Sequence, residues 1–439
     1  MVIKLDDEQW RVLNSRAYSK DITALQGPPG CGKTTVGSAL AVKLVAEGLA
    51  KNVLLVAYTN AAANEFALEL SNILQNTAEK LCVRTGNASA VDQSSLPIPF
   101  SLNADELRKK RIIITTSLSA KKLLTVIRFD NMIVDEAGIE KLEDLLWPLL
   151  LGINQTTGPI TYDYNTANRI KDLIGLISQC GVTATVVGDP KQSKPITTNQ
   201  YVPSAIEWLQ KRVPYDILRI THRLPDTLAA LVNEFACYDR LRSAPEIASR
   251  RLRLDHPPDM EYREIITPEE VTTWVDINGN EESIRESSYY NDTEARACAR
   301  IYDHLRKCTR KSIVIVSRFT GQRAVIRNYL QRMGHTDVKV TTTTSALGTQ
   351  ADIVLFSLVR NNPERIVGQA GTLQDLNVAI SRSKEKLIIL GSFDMMLNGW
   401  TIAPSTTRNG GYKSPSRRLA RLIDSKYGEV VDAPSILMQ

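Results

Sequence analysis

Apolar runs of four to eight residues alternate with longer amphipathic segments along two stretches of the chain. In the first stretch, DITALQ, KNVLLVAY, RIIITTS, NMIVDEA and ATVVGDP are rich in aliphatic and β-branched residues and end on polar residues or glycine. They read as strands, and Thr34–Glu47 and Ala61–Gln75 between them read as helices. Runs that are apolar at nearly every position, not at every second one, predict parallel strands covered on both faces. The second stretch repeats the pattern with KSIVIVSR, DVKVTTT, ADIVLFSLV and EKLIILGS. Between the two lies Arg219–Tyr290, which starts helical and turns irregular and charge-mixed around RSAPEIASRRLRLDHPPDMEY. The pattern predicts an α/β protein of two domains, 1–220 and 221–439. Ala403–Arg418 is turn-rich and basic and reads as a surface loop.

Composition narrows the picture only slightly. The chain has 439 residues, 23% charged and 43% hydrophobic, with 54 Lys and Arg against 48 Asp and Glu, a net charge of +6. That balance permits a polyanionic partner without requiring one. The start, MVIKLDDEQW, lacks the apolar core of a secretory signal, and no apolar run reaches membrane-spanning length. The six cysteines are scattered, with no C-x-x-C pair. The expectation is a soluble intracellular protein, cytoplasmic, nuclear or encoded by a virus and made in a host cell. No membrane partner and no structural zinc are expected.

Candidate chemistry gathers at the predicted strand ends, where open parallel sheets bind ligands. LQGPPGCGKTTVGSAL, Leu25–Leu40, places four glycines and two prolines between a strand and a helix. Its spacing, Gly27-x-x-x-x-Gly32-Lys33-Thr34, fits a phosphate-cradling loop whose bare N–H groups and helix N-terminus face an anion. Lys33 would reach the β- and γ-phosphates and Thr34 a magnesium ion. In NMIVDEAG, Asp135 can hold that ion and Glu136 can take the proton of an attacking water. In VVGDPKQSKP, Gln192 can orient the water or sense the γ-phosphate. Arg223 in RITHRLP and Arg382 in LNVAISRSKEK are candidates to meet developing phosphoryl charge. Each segment also has a plainer local reading: a tight glycine turn, solvated strand-end acids, a G-D-P turn, surface arginines.

In their order these segments resemble the motifs of superfamily 1 helicases, and among them the group of the nonsense-mediated-decay helicase. The resemblance runs from LDDEQWRVL to LGS, most of the chain. It implies two RecA-like domains with an ATP cleft between them, ATP and Mg²⁺ as the nucleotide and metal, and a single nucleic-acid strand, RNA or DNA, as partner of a monomer. It implies an ATP hydrolase and helicase moving 5′ to 3′.

By the same resemblance LDDEQWRVL gives Gln9 to adenine, and GPPGCGKTT gives Gly27, Gly30, Cys31, Gly32, Lys33, Thr34 and Thr35 to the nucleotide. Cys31 stands where threonine is usual. VAYTNAAANEF and IIITTSLSA point to Thr59, Asn60, Thr115 and Thr116 as strand contacts. VDEAG and GDPKQSKP match the magnesium and γ-phosphate motifs. THRLP gives the arginine role to Arg223, with His222 where a stacking tyrosine is usual, and Arg382 takes the finger position. Short hydroxyl side chains at Thr342 and Thr343 suit phosphate oxygens, although threonine runs also simply favour strands. Phe319, beside Arg318, is the best-placed base-stacking ring. One motif departs: T-S-A-L-G-T-Q, Thr344–Gln350, keeps only Gly348 of the family pattern and has Gln350 in place of glutamate. Gly138 replaces a usual polar residue, and 153–180 reads as an insertion. The alternatives are an ATP-gated nucleic-acid clamp and a small-molecule P-loop phosphotransferase. The second leaves the C-terminal motifs unexplained.

Overall fold

The five aliphatic runs of the first half become strands of one seven-stranded sheet. The computed structural model describes residues 4–19, 21–125, 127–139, 183–192, 194, 203–285, 288–346, 348–402 and 412–438. The expected insertion at 153–180 lies outside the described residues, as do residues 403–411 of the basic loop. The chain divides into two compact units, Met1–Arg219 and Ile220–Gln439.

In the first unit the strands are β1 (Ile22–Gln26), β2 (Val53–Ala57), β3 (Cys82–Arg84), β4 (Ile112–Thr116), β5 (Asn131–Val134), β6 (Thr183–Gly188) and β7 (Tyr215–Ile217). Their order is β3-β4-β2-β5-β6-β1-β7 and every pairing is parallel. β1, β2 and β4 are buried at every position, as strands covered on both faces must be. The covering helices include α1 (Asp7–Ala17), α2 (Lys33–Ala46) and α3 (Asn60–Leu74). A Cβ on Gly37 would come 3.1 Å from the Phe66 ring, so glycine lets α2 and α3 pack closely. Leu54, Val56, Ile113, Met132, Val186 and Trp208 belong to this unit's own core.

The second unit carries β8 (Thr272–Asp276), β9 (Ile313–Ser317), β10 (Val340–Thr342), β11 (Ala351–Ser357), β12 (Ser383–Gly391) and β13 (Glu429–Asp432) in the order β10-β9-β11-β12-β8-β13. This sheet too is wholly parallel. Its helices include α4 (Asp226–Ala236), α5 (Asp292–Cys308), α6 (Thr320–Arg332), α7 (Leu373–Ile380) and α8 (Ser416–Leu422). Val275, Ile301, Leu305, Ile315, Leu355 and Ile388 belong to a second, separate core.

Three expectations need correction. The stretch read as irregular up to Tyr290 contains β8, an interior strand of the second sheet with Trp274 fully buried. Polar threonines and flanking acids hide it from a search for aliphatic runs. The basic segment read as a loop through Arg418 becomes helix α8 at Ser416, so Arg417 and Arg418 stand on a helix. DVKVTTT shrinks to the three paired residues of β10.

Candidate functional site

Parallel strands bring their C-terminal ends to one edge of a sheet, and in the first unit that edge collects the residues expected to meet a nucleotide. β1 delivers Gly27, whose N–H donates to Gly188 O at 3.0 Å, the end of β6. β5 delivers Asp135, whose N–H donates to Val56 O on β2 at 2.9 Å. Gly188 is small for a reason: a Cβ there would lie 2.9 Å from Gly138 N and 3.1 Å from Ala137 N. The two strand-end loops therefore touch through bare backbone.

Gly30 and Gly32 take left-handed φ of 74° and 77°, conformations that glycine adopts without cost. Lys33 Nζ folds back to donate to Gly27 O at 2.6 Å. Thr34 Oγ1 donates to Asp135 Oδ2 at 3.3 Å. Burial pushes the Asp135 carboxyl above its ordinary range, opposed by nearby Lys33 and by donors from Glu136 N–H and Thr34. Glu136 sits at φ 58°, a strained value for a residue with a side chain, and its N–H donates to Asp135 Oδ1 at 2.7 Å. At the end of β6, Gln192 Nε2 donates to Asp189 Oδ2 at 2.7 Å. Gln26 Nε2 reaches Asp189 Oδ1 at 3.5 Å, and Gln210 Nε2 reaches Gln26 Oε1 at 3.0 Å.

Gln9 is tied to the loop it was expected to serve. Its Oε1 accepts from Asp6 N at 3.1 Å in a capping box, and its Nε2 donates to Cys31 O at 3.0 Å. One amide hydrogen and one lone pair remain for a further partner. A Cβ on Gly32 would meet Gln9 Nε2 at 2.5 Å, so the glycine also makes room for this amide. Thr35 is half-buried in the first turn of α2, the segment whose N–H groups open toward the loop.

The strand-contact residues fare unevenly. Thr59 caps α3, accepting from Ala62 N at 3.1 Å. Asn60 Oδ1 accepts from Arg84 Nη2 at 2.8 Å. Thr116 Oγ1 donates to Ser119 Oγ at 3.2 Å. Thr115, however, is 0% exposed and its hydroxyl has no hydrogen-bond partner among the described residues. A hydroxyl shut off from solvent offers no open side to a phosphate, so Thr115 is withdrawn from the strand-contact set. Arg84 was not foreseen. It is fully buried, its guanidinium donates to Asn60, Asn64 and the carbonyls of Thr85 and Ile114, and burial draws its pKa down to about 10. It ties the loop after β2 to β3 and β4. Its only trace in the sequence is a charged residue closing the apolar triplet CVR.

In the second unit the expected residues fall on opposite edges of the sheet. Arg318, Phe319 and Thr343 follow the C-terminal ends of β9 and β10, and Thr342 ends β10. Gln350 and Arg382 precede β11 and β12 at the other edge. Helix α7 connects them. At its start Asp375 accepts from Thr343 Oγ1 at 2.7 Å and pairs with Arg318 Nε at 3.4 Å. Past its end, Ser381 O accepts from Arg223 Nη1 at 3.1 Å. Arg382 is 2% exposed; its Nε donates to Val378 O at 2.9 Å and its Nη1 to Ala346 O and Thr349 O at 3.4 Å. Arg223 Nε donates to Gln350 Oε1 at 3.0 Å. The divergent segment Thr344–Gln350, with Gly348 at φ 78°, is thus gripped by both arginines.

Thr343, 1% exposed, spends its hydroxyl on Asp375 and leaves the strand-contact set with Thr115. Thr342 Oγ1 donates to Ser345 Oγ at 3.1 Å. Phe319 is half-buried, edge-on to Tyr289 at 5.3 Å. His222 Nδ1 lies 3.3 Å from Glu246 Oε1.

Comparison with known proteins finds relatives over most of the chain. Two family models, each described as an AAA domain, match residues 4–103 and 202–394, together more than half of the chain. The chain is 24% identical over 429 residues to a Regulator of nonsense transcripts 1 homolog of Neurospora crassa, covering 86% of this chain and 36% of that protein. It is 23% identical over 431 residues to the ATP-dependent helicase NAM7 of Saccharomyces cerevisiae, covering 86% and 41%. The chain belongs to the superfamily 1 helicases. It is also 25% identical over 426 residues to the DNA replication ATP-dependent helicase/nuclease DNA2 of Xenopus laevis, covering 88% and 37%. This superfamily 1 chain spans about a third of the length of the first of these relatives. Its two parallel, helix-covered sheets are the two RecA-like domains that the family leads one to expect. Among the described residues no helix is long and apolar enough to cross a membrane.

Proposed function

We propose that the chain is an ATP-dependent helicase that translocates 5′ to 3′ on a single strand of RNA or DNA. The observation that carries this reading is the Thr34–Asp135 pair, 3.3 Å apart beside a lysine-bearing loop of left-handed glycines. A hydroxyl and a buried carboxylate are the hard oxygen donors that magnesium takes, so Thr34 and Asp135 would hold it. That ion would neutralise charge on the β- and γ-phosphates. The N–H groups from Gly30 to Thr35, including those of Cys31 and Gly32, cradle the phosphates, Gly27 leaves them room, and Lys33 exchanges its Gly27 carbonyl for a phosphate oxygen. Glu136 accepts the proton of the attacking water, which Gln192 orients. Arg223 and Arg382 supply positive charge as the phosphoryl group leaves, an effect of ~10³–10⁵ in rate. Gln9 addresses the adenine with its remaining donor and acceptor, and His222, Gly348 and Gln350 complete the nucleotide set. Thr59, Asn60, Thr116, Thr342 and Arg318 hold phosphates, and Phe319 stacks a base.

Helix α7 gives this reading a connection from strand to nucleotide. One of its ends is bonded to Arg318 and Thr343, and the other leads into Ser381 and Arg382. A second reading, an ATP-gated clamp that grips without unwinding, draws on Gln350. Its neutral amide pairs with Arg223 where the family has a carboxylate, so the arginine is held more loosely. ATPase measured with and without polyuridylate or single-stranded DNA, beside a strand-displacement assay, tests both. A helicase shows stimulation of about tenfold or more together with displacement, and a binding slope near −0.7 per phosphate contacted as salt rises. Stimulation without displacement leaves the clamp, and unstimulated ATPase removes both.

A further inference from the structure

One buried cation of the first unit is answered by no carboxylate. Arg84 closes β3 and is fully buried, and it pairs with no acid among the described residues. Burial alone lowers its pKa, to about 10, so it keeps its charge at neutral pH. Its fork reaches only neutral oxygens. Nη2 donates to Asn60 Oδ1 at 2.8 Å, Nε to Asn64 Oδ1 at 3.5 Å, and Nη1 to Thr85 O and to Ile114 O. A charge taken out of water is costly unless an opposite charge answers it.

A guanidinium donates and never accepts, so an amide that faces it must present its oxygen. Asn60 and Asn64 are both held that way, and the NH₂ group of each turns away from Arg84. Both residues are half-buried, and neither Nδ2 has a hydrogen-bond partner among the described residues. They stand four residues apart on α3, on one face of the helix, and the first turn carries no acid. A Cβ on Gly86 would lie 3.1 Å from Arg84 Nη1 and 3.3 Å from Ser119 Oγ, the acceptor of the Thr116 hydroxyl. Arg84 therefore neighbours Asn60 directly and Thr116 through Ser119. What completes such a set is an anion that only accepts. We propose that Arg84 is a positioning residue of the strand interface: it turns Asn60 and Asn64 donor side out onto the backbone phosphates of a nucleic-acid strand, whose charge answers its own. Being fully buried, it acts through the two amides and through its field, not by touching the phosphate. Asn64 thereby joins the strand contacts. This role rests on the strand reading proposed above and involves none of the nucleotide residues.

Equilibrium binding of the full chain, without nucleotide, to a labelled oligouridylate and to the matching oligothymidylate tests this. R84M should weaken both by about tenfold or more, the cost of losing hydrogen bonds to a charged group. It should also flatten the dependence of log affinity on log salt by about 0.7, because one phosphate fewer is neutralised. N60A/N64A removes donors but no charge, so it should weaken binding and leave the slope unchanged. R84K, charged but without the fork, should keep the parent's slope and lose affinity. N64D sets a carboxylate against the guanidinium. It should bind both probes about tenfold more weakly, with the flattening of R84M, at a thermal midpoint no lower than the parent's. Damage to packing does not give that combination. A parent that binds neither probe overturns the strand reading and this role with it. Undiminished binding by R84M or N64D, a slope unchanged in both, or a loss confined to one probe overturns this role alone. N64D decides the matter if R84M fails to fold.

Discussion

In the first unit Lys33 rests on one carbonyl, Gly27 O at 2.6 Å, at the mouth of a glycine loop. In the second, Arg382 is buried and donates to the carbonyls of Val378, Ala346 and Thr349. Both are expected to serve the same phosphoryl transfer, yet one is free to change partners and the other is built into the packing. A side chain with one weakly competing acceptor can re-aim at an anion with little reorganisation. A guanidinium that satisfies several buried carbonyls fixes the loop those carbonyls belong to, here the divergent Thr344–Gln350. On the proposed reading the first unit carries its charge on a side chain with one carbonyl to give up, and the second holds its charge in a strut.

The sharpest way to break this contrast is K33A. Hydrolysis should fall to background, roughly 10³-fold or more, since a lost phosphate donor in a preorganised site costs at least 10²–10³. Its thermal midpoint and its strand affinity without nucleotide should stay near those of the parent. Retained ATPase would remove the nucleotide assignment. A fall in midpoint of more than a few degrees would show that Lys33 is as structural as Arg382.

R382Q and R223Q come next, and their difference matters more than either alone. Both should lower strand-stimulated hydrolysis by about 10³-fold, the lower bound for an arginine on a transferring phosphoryl group. R382Q should also cost about 1–3 kcal/mol of stability, because buried carbonyls lose their donor. Arg223 is half-buried, with bonds to Gln350 Oε1 and Ser381 O, so R223Q should cost less than about 1 kcal/mol. Denaturant midpoints of the two variants measure this. Equal losses would mean that Arg223 is a strut as well.

The same contrast explains what could be read from sequence. The phosphate loop was legible because its chemistry demands small residues at fixed spacing, and spacing survives in one dimension. The strand ends were legible because aliphatic runs stop where the sheet stops. Which way a side chain faces at such an end was not. Thr115 and Thr116 are adjacent in IIITT, yet the hydroxyl of Thr115 has no described partner while that of Thr116 reaches Ser119. The burial of Arg382 was equally hidden, because ISRSK gives no sign that the carbonyls of Ala346 and Thr349, 36 and 33 residues upstream, meet its guanidinium. β8 escaped because its two threonines and its closing aspartate dilute the apolar signal, although Trp274 and Val275 are fully buried. Arg250, Arg251 and Arg253 lie in a stretch that reads only as irregular and charge-mixed, and only the fold brings them together beside Lys311 and Glu385.

The smallest predicted effect asks whether the second unit's rigidity extends to its polar core. Asn291, Glu294, Gln322 and Ser357 are all fully buried and bonded to one another. Burial raises the Glu294 carboxyl from 4.5 to about 8, against donors from Ser357 Oγ at 2.7 Å and Val359 N at 2.8 Å, with Glu281 adding a small upward push. A folded-state pKa above the unfolded one means that the native state binds the extra proton. The associated stability is complete below about pH 4.5 and is lost as pH rises through 8. Lys386 acts in the opposite sense: burial draws it from 10.5 to about 7, so its contribution rises with pH above 7. Comparing the parent with E294Q cancels the lysine. The difference in unfolding free energy between them should shrink by up to about 4 kcal/mol from pH 5 to pH 9. A difference that stays level with pH would mean that Glu294 is already ionised in the folded protein. The polar core would then be held by charge, as the arginine strut is, and the second unit would hold all its charges one way.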